Sequence, residues 1–183
     1  MTRDNQLLSG IPVQEVCTGS AYDDPRRPEH GIALCLSGGG YRAMLFHLGA
    51  VWRLSELRYL PKLARVSSVS GGSITAPVLA LKWSRLGPND QGVPAHFVRE
   101  VVEPIRLLAG KTIDEGAIVG GILTPGSISD KVAAAYRRHL FGDATLQDLP
   151  AGPPRFVINA TNVQTGALFR FSRPFIADYR LGI

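Results

Sequence analysis

Ser70 is the residue whose neighbours best suit it to act as a nucleophile. It stands in "RVSSVSGGSITAPVLA", residues 65–80, where a β-branched run meets Ser-Gly-Gly and then an apolar, helix-like segment. A nucleophile elbow requires a strand feeding a sharp turn, with the central residue strained and its hydroxyl projecting above the sheet. The residues two before and two after it must be small, because they crowd each other across the turn. The usual form is G-x-S-x-G; this chain has Ser68-Val69-Ser70-Gly71-Gly72, with serine in place of the first glycine. A serine there lies at a helix N-terminus, where the amide dipoles favour a developing negative charge. The bland alternative for the same residues is a capping serine beside flexible glycines.

A second stretch, "SGGGYRA" at Ser37–Ala43, also follows an apolar run and precedes a helical pattern. Consecutive glycines let backbone N–H groups approach an anion with no side chain in the way. Gly38-x-Gly40-x-x-Ala43 fits the dinucleotide fingerprint, but that reading needs an acidic residue at the end of the second strand. The second strand ends in Ser68-Val69-Ser70-Gly71, and the nearby Glu56 falls within a helix. No G-x-x-x-x-G-K-[ST] occurs, so a P-loop is excluded. An oxyanion hole remains: amides of the first loop facing a serine of the second.

These two loops need a strand–helix–strand–helix frame. Ile32–Leu36 is a short continuous apolar run, as expected of a strand buried on both faces. Residues 41–59 repeat apolar positions at helical spacing through Met44, Leu48 and Val51. Val66–Val69 is a second strand, and residues 71–86 a second helix containing Pro77. That order implies a right-handed parallel crossover, hence an α/β domain with both loops at one carboxyl edge of the sheet. Further on, Phe97–Leu108 reads as a helix broken at Pro104, Ile128–Leu140 as an amphipathic helix, and Phe156–Ala160 with Ala167–Phe171 as a hairpin. "GAIVGGIL", at 116–123, reads as a glycine-rich loop.

Gly38-Gly39-Gly40-Tyr41-Arg42, Ser68-Val69-Ser70-Gly71-Gly72-Ser73 and the "FVINATNVQTGALFRF" strand pair together resemble the patatin-like phospholipases, distantly including cytosolic phospholipase A2. The resemblance spans about residues 30–175. It implies a three-layer α/β/α fold with a mainly parallel central sheet, hydrolysing acyl esters of lipids through a Ser–Asp dyad. By position, it makes Ser70 the nucleophile, Gly38, Gly39 and Gly40 the oxyanion loop, and Arg42 a support of that loop. Ser68, Gly71 and Gly72 complete the elbow. The chain departs from the family pattern at Ser37, where Asp is frequent, and at Ala43, where Gly is frequent. The family's aspartate lies in an Asp-Gly-Gly or Asp-Gly-Ala motif, and no Asp-Gly dipeptide occurs here. Asp178 is followed by Tyr179 and reads as a surface turn residue, so the expectation is a C-terminally truncated chain lacking its aspartate.

A Ser–acid–His order can be drawn as Ser70, Asp114 or Asp130, and His139. His139 sits near a helix C-terminus, where the dipole alone explains it. His47 reads as packed within the first helix, and His30 and His96 fall in turns. Two further readings use the same scaffold: an acyltransferase, and a non-catalytic lipid- or membrane-binding module.

The bulk numbers fit this frame. At 183 residues, 45% hydrophobic and 19% charged, the chain reads as one folded domain, residues 31–183, behind a polar extension at 1–30. The extension carries a net −2 and the remainder +7. The basic residues are scattered and not interleaved with aromatics, which argues against nucleic acid. Cys17 and Cys35 make no disulfide framework, and Cys35 reads as a small buried hydrophobe. No signal peptide or spanning segment is visible, so the expected setting is cytoplasmic, with peripheral contact at a membrane. No metal or cofactor is called for.

Overall fold

The computed structural model describes residues 30–87, 94, 96–111, 128–178 and 180. The apolar run after Gly31 forms strand β1 (Ile32–Leu36), which stops at Ser37 and the glycines. Helix α1 (Gly40–Glu56) follows, then β2 (Leu63–Val69) and α2 (Gly72–Lys82). A π-helical turn at Val98–Val102 leads without interruption into α3 (Glu103–Ala109), with Pro104 just past the junction, where it cannot continue the preceding hydrogen-bond ladder. The expected break at Pro104 is therefore a junction between two helical forms. Helix α4 (Ile128–Tyr136) ends in a second π-helical turn at Arg137–Phe141. Strands β3 (Arg155–Thr161), β4 (Leu168–Phe171) and β5 (Ile176–Asp178) close the chain. The "GAIVGGIL" stretch and Cys17 lie outside the described residues.

The five strands form one sheet in the order β1-β2-β3-β4-β5. β1, β2 and β3 pair in parallel; β4 is antiparallel to both β3 and β5, so four strands share one direction. This is the expected α/β architecture with a mainly parallel sheet. Its register sets Leu36 against Ser68 and Val69 against Asn159, so the β1 and β2 carboxyl ends meet at one edge.

Helix α2 touches β1, β2 and β3 as well as α1. Ile74, Thr75, Ala76, Val78, Leu79 and Ala80 are all buried, as an apolar helix enclosed on several sides must be. Helix α1 buries one stripe, Met44, His47, Leu48, Val51 and Ser55, as its spacing predicts. Thr75 Oγ1 ties the two helices by donating to the Met44 carbonyl at 3.0 Å. Leu36, Val66 and Phe156 supply the sheet's share of this core, and Ile105 and Leu108 of α3 extend it. Fully buried side chains such as Leu79 and Val66 are each worth about 1.5–3 kcal/mol.

Two expectations about β1 need correction. It is an edge strand, and among the described residues only the face bearing Leu36 is covered; Ile32, Ala33 and Cys35 are exposed. Cys35 is therefore an exposed free thiol, not a buried hydrophobe. A continuous apolar run carries no information on which side its neighbours lie. A third correction concerns Asp178. It is 1% exposed on β5, not a surface turn residue. Its Oδ2 accepts from Asn162 Nδ2 at 2.9 Å and Thr165 Oγ1 at 3.3 Å, and its Oδ1 from the Arg180 N–H at 2.8 Å. These donors replace the water that a buried carboxylate loses.

Candidate active site

Where β2 ends, Ser70 takes φ +50°, one of two non-glycine residues with positive φ among the described residues. A serine in the left-handed region costs about 1–2 kcal/mol and persists only where the surroundings dictate it. The surroundings do so through several contacts. Ser70's own carbonyl accepts from the Ser73 N–H at 2.8 Å, starting α2 directly after the turn. Two residues earlier, Ser68 is fully buried; its hydroxyl accepts from Ser73 Oγ at 3.0 Å and reaches the Val157 carbonyl at 3.5 Å. Asn159 of β3 donates to Ser67 Oγ at 2.9 Å and to the Ser68 carbonyl at 3.0 Å. The end of β2 is thus held from both faces of the sheet, while Ser70 itself is exposed.

Gly71 and Gly72 are required by close approach. A Cβ on Gly71 would meet the Gly40 carbonyl oxygen at 2.3 Å, and one on Gly72 the Leu36 carbonyl oxygen at 2.4 Å. Both obstacles are backbone, so no side-chain rotation relieves them. These approaches press the elbow against the end of β1 and the start of α1. The Gly72 N–H then donates to the Ser37 carbonyl at 3.1 Å.

The loop Ser37–Gly39 lies directly across from Ser70. A Cβ on Gly38 would stand 3.2 Å from Ser70 Cβ and 3.7 Å from Ser70 Oγ, so the loop and the serine are neighbours with little room for a side chain between them. Gly39, at φ +133°, makes the bend that lets α1 begin at Gly40. The structure therefore brings Ser70, Gly38, Gly71 and Gly72 together, with Ser68 beneath. Arg42 is exposed on the first turn of α1, and its side chain makes no hydrogen bond to another described residue.

The carboxylates and histidines fall elsewhere, with one exception. Asp178 lies on β5, with β3 and β4 between its strand and β2, so the two strands are three spacings or about 14 Å apart. His139 is exposed in the turn after α4, Asp130 is exposed on α4, and Asp114 lies outside the described residues. Among the described residues no acid or histidine hydrogen-bonds to Ser70, and no cluster fit to hold a metal ion occurs. The exception is His47, buried on α1, whose Nε2 is 2.9 Å from the Ser37 carbonyl oxygen and 3.3 Å from Ser37 Oγ. Sequence reasoning placed His47 in the core correctly but missed that it reaches the glycine loop. The signal, a histidine on the same helical face as Met44 and Val51, is equally that of a packed residue.

Comparison with known proteins agrees with this geometry. Residues 34–181 match the patatin-like phospholipase family. Among solved structures, human GIVD cytosolic phospholipase A2 in complex with methyl gamma-linolenyl fluorophosphonate is similar, with 21% identity and a TM-score of 0.56. That match covers 85% of this chain and 25% of the other. A second structure of the human enzyme, with that inhibitor and terbium chloride, gives 23% identity and a TM-score of 0.51, over 83% and 24% of the two chains. This chain thus spans about a quarter of the length of those structures, and the likeness is one of fold. No curated protein matches significantly.

Proposed function

Because the chain belongs to the patatin-like phospholipase family, we propose that it acts as a serine lipid acyl hydrolase with Ser70 as its nucleophile. The observation that carries this reading is the strained Ser70, at φ +50°, standing against the Gly38 backbone at a shared sheet edge. Ser70 Oγ attacks the ester carbonyl carbon and gives its proton to a base. The amides of Gly38, Gly39 and Gly40 stabilise the charge on the carbonyl oxygen, which moves from sp² to tetrahedral. Collapse of the intermediate expels the alcohol, which takes up the proton. Water then attacks the acyl-serine ester, releasing the fatty acid and restoring Ser70. Arg42, one turn into α1, faces anionic lipid headgroups or steadies the loop it follows.

The base of a Ser–Asp dyad is an aspartate outside the described residues, since Asp178 sits on β5, with two strands between it and β2, and is fully engaged. Exposed apolar side chains favour a lipid-bearing surface as the source of substrate: Leu45 and Phe46 on α1, and Val163 in the β3–β4 turn. No helix of the described residues is long and apolar enough to cross a membrane. Contact with such a surface would run through these side chains.

A fluorophosphonate probe tests the assignment, applied to the longest natural polypeptide that carries this sequence. Labelling should fall by at least ~10³-fold in Ser70→Ala, and ester turnover with it. Labelling that persists in Ser70→Ala would remove the serine from its role. Lipid binding that survives the change, in a wild type that never labels, would favour a non-catalytic binding module. Fatty-acyl product appearing on an added alcohol, and not as free acid, would favour acyl transfer.

A further inference from the structure

We propose that His47 is a positioning residue for this site: its Nε2–H orients the Ser37–Gly38 peptide so that the Gly38 amide faces the substrate oxygen. The inference rests on the reading of Ser70 and the glycine loop given above. Its basis is the accounting at one carbonyl. The Ser37 oxygen lies 2.9 Å from His47 Nε2 and 3.1 Å from the Gly72 nitrogen, so both of its lone pairs are used. A carbonyl oxygen only accepts, which fixes the proton on Nε2 whatever the state of Nδ1.

The consequence follows from peptide geometry. Ser37–Gly38 is a trans peptide, since Pro153–Pro154 is the cis bond of the chain's described residues. In a trans peptide the C=O and the N–H of the next residue point in opposite directions within one plane. Holding the Ser37 carbonyl inward, against α1 and α2, therefore turns the Gly38 N–H outward. Outward is the exposed edge where Ser70 stands, beside Gly38. An oxyanion donor stabilises a transition state only if it is already aimed before the charge develops. A glycine loop has little intrinsic stiffness, so its aim must come from outside it.

Two anchors share this work, and they are not equivalent. Gly72 ties the loop to the nucleophile's own helix, which keeps donor and serine in register. His47 ties it to α1, whose stripe of Met44, Leu48 and Val51 is locked in the core. The imidazole is buried in that stripe and meets the ring of Phe46 edge-on, with 5.5 Å between centroids. Losing it would leave the Ser37 carbonyl held by Gly72 alone.

The experiment compares wild type, Ser70→Ala, His47→Phe, His47→Gln and His47→Asn in the polypeptide used above. It measures kcat and KM on a soluble acyl ester, together with the rate of fluorophosphonate labelling. Phe keeps the ring and removes the donor; Gln keeps a donor at the reach of Nε2; Asn keeps an amide that stops short. The expected result is a ~10–100-fold fall in kcat and labelling rate for Phe and Asn, with KM within about threefold, and most of the loss restored by Gln. A His47→Phe protein as active as wild type would overturn the proposal. So would a loss that Gln fails to restore, because packing would then explain it. If His47→Phe does not fold, the Gln and Asn pair decides on the same criterion. A wild type whose activity survives Ser70→Ala would instead overturn the underlying reading, and the proposal with it.

Discussion

At the scale of single residues, the elbow is legible because its constraints are steric and local. Small residues at 68, 71 and 72 announce a place where backbones nearly touch, and Gly71 and Gly72 each face a carbonyl oxygen at under 2.5 Å from a would-be Cβ. His47 is not legible in the same way, because its partner Ser37 is ten positions away and its spacing satisfies the core stripe equally well. The glycines offer a test by sign. Gly72→Ala forces a methyl against the Leu36 carbonyl and should destabilise by about 1–3 kcal/mol. Gly49, inside α1 with nothing within 4 Å of its Cβ position, should instead gain about 0.5–1 kcal/mol on replacement by Ala. Urea unfolding reads both as shifts of midpoint at constant slope. A Gly72→Ala midpoint at or above that of wild type would mean that the close approach of α2 to β1 is not a real constraint on the fold.

At the scale of elements, β1 and both crossover helices were readable within a few residues of their observed ends, because Ser37-Gly-Gly-Gly and Ser70-Gly-Gly interrupt strong apolar patterns. β2 begins three residues earlier than its apolar core suggests, since Leu63–Arg65 is held by pairing with β1 and not by periodicity. The short β5 was not readable. Its anchor, Asp178, is recognised only through Asn162 and Thr165, which reach it from the β3–β4 turn across 16 and 13 residues of sequence. Asn162 also folds its own turn, its Oδ1 accepting from the Gln164 and Thr165 N–H groups. This network makes Asp178 a clamp between the turn and β5. Asp178→Ala should cost about 2–4 kcal/mol, with hydrogen-exchange protection lost over residues 161–168 and kept over β1 and β2. Were Asp178 instead the partner of Ser70, the same change would abolish probe labelling while leaving stability and protection nearly intact.

At the scale of the whole molecule, the chemistry sits where three parallel strands joined by two crossovers concentrate it: two adjacent loops and two helix N-termini at one edge. The same topology leaves the sheet's faces unequal. Leu36, Val66, Ser68 and Phe156 face the helices and are buried, whereas Cys35 and Val69, on the opposite face, are exposed. Asn159, bridging Ser67 and Ser68, gives that second face a task, bracing β2 just before the nucleophile. An edge strand with one open face is reachable by solvent along its whole length. Cys35 reports on this directly. In the folded 183-residue chain, iodoacetamide should alkylate Cys35 without denaturant, at a rate within about tenfold of the unfolded chain, as an exposed thiol allows. Mass spectrometry of the peptide bearing Cys35 separates it from Cys17. A Cys35 that reacts only after unfolding would mean that another segment lies over Ala33, Cys35 and Val69, completing a third layer on that face. In that event the brace at Asn159 would be buried as well, and the elbow would be clamped between two helical layers instead of one.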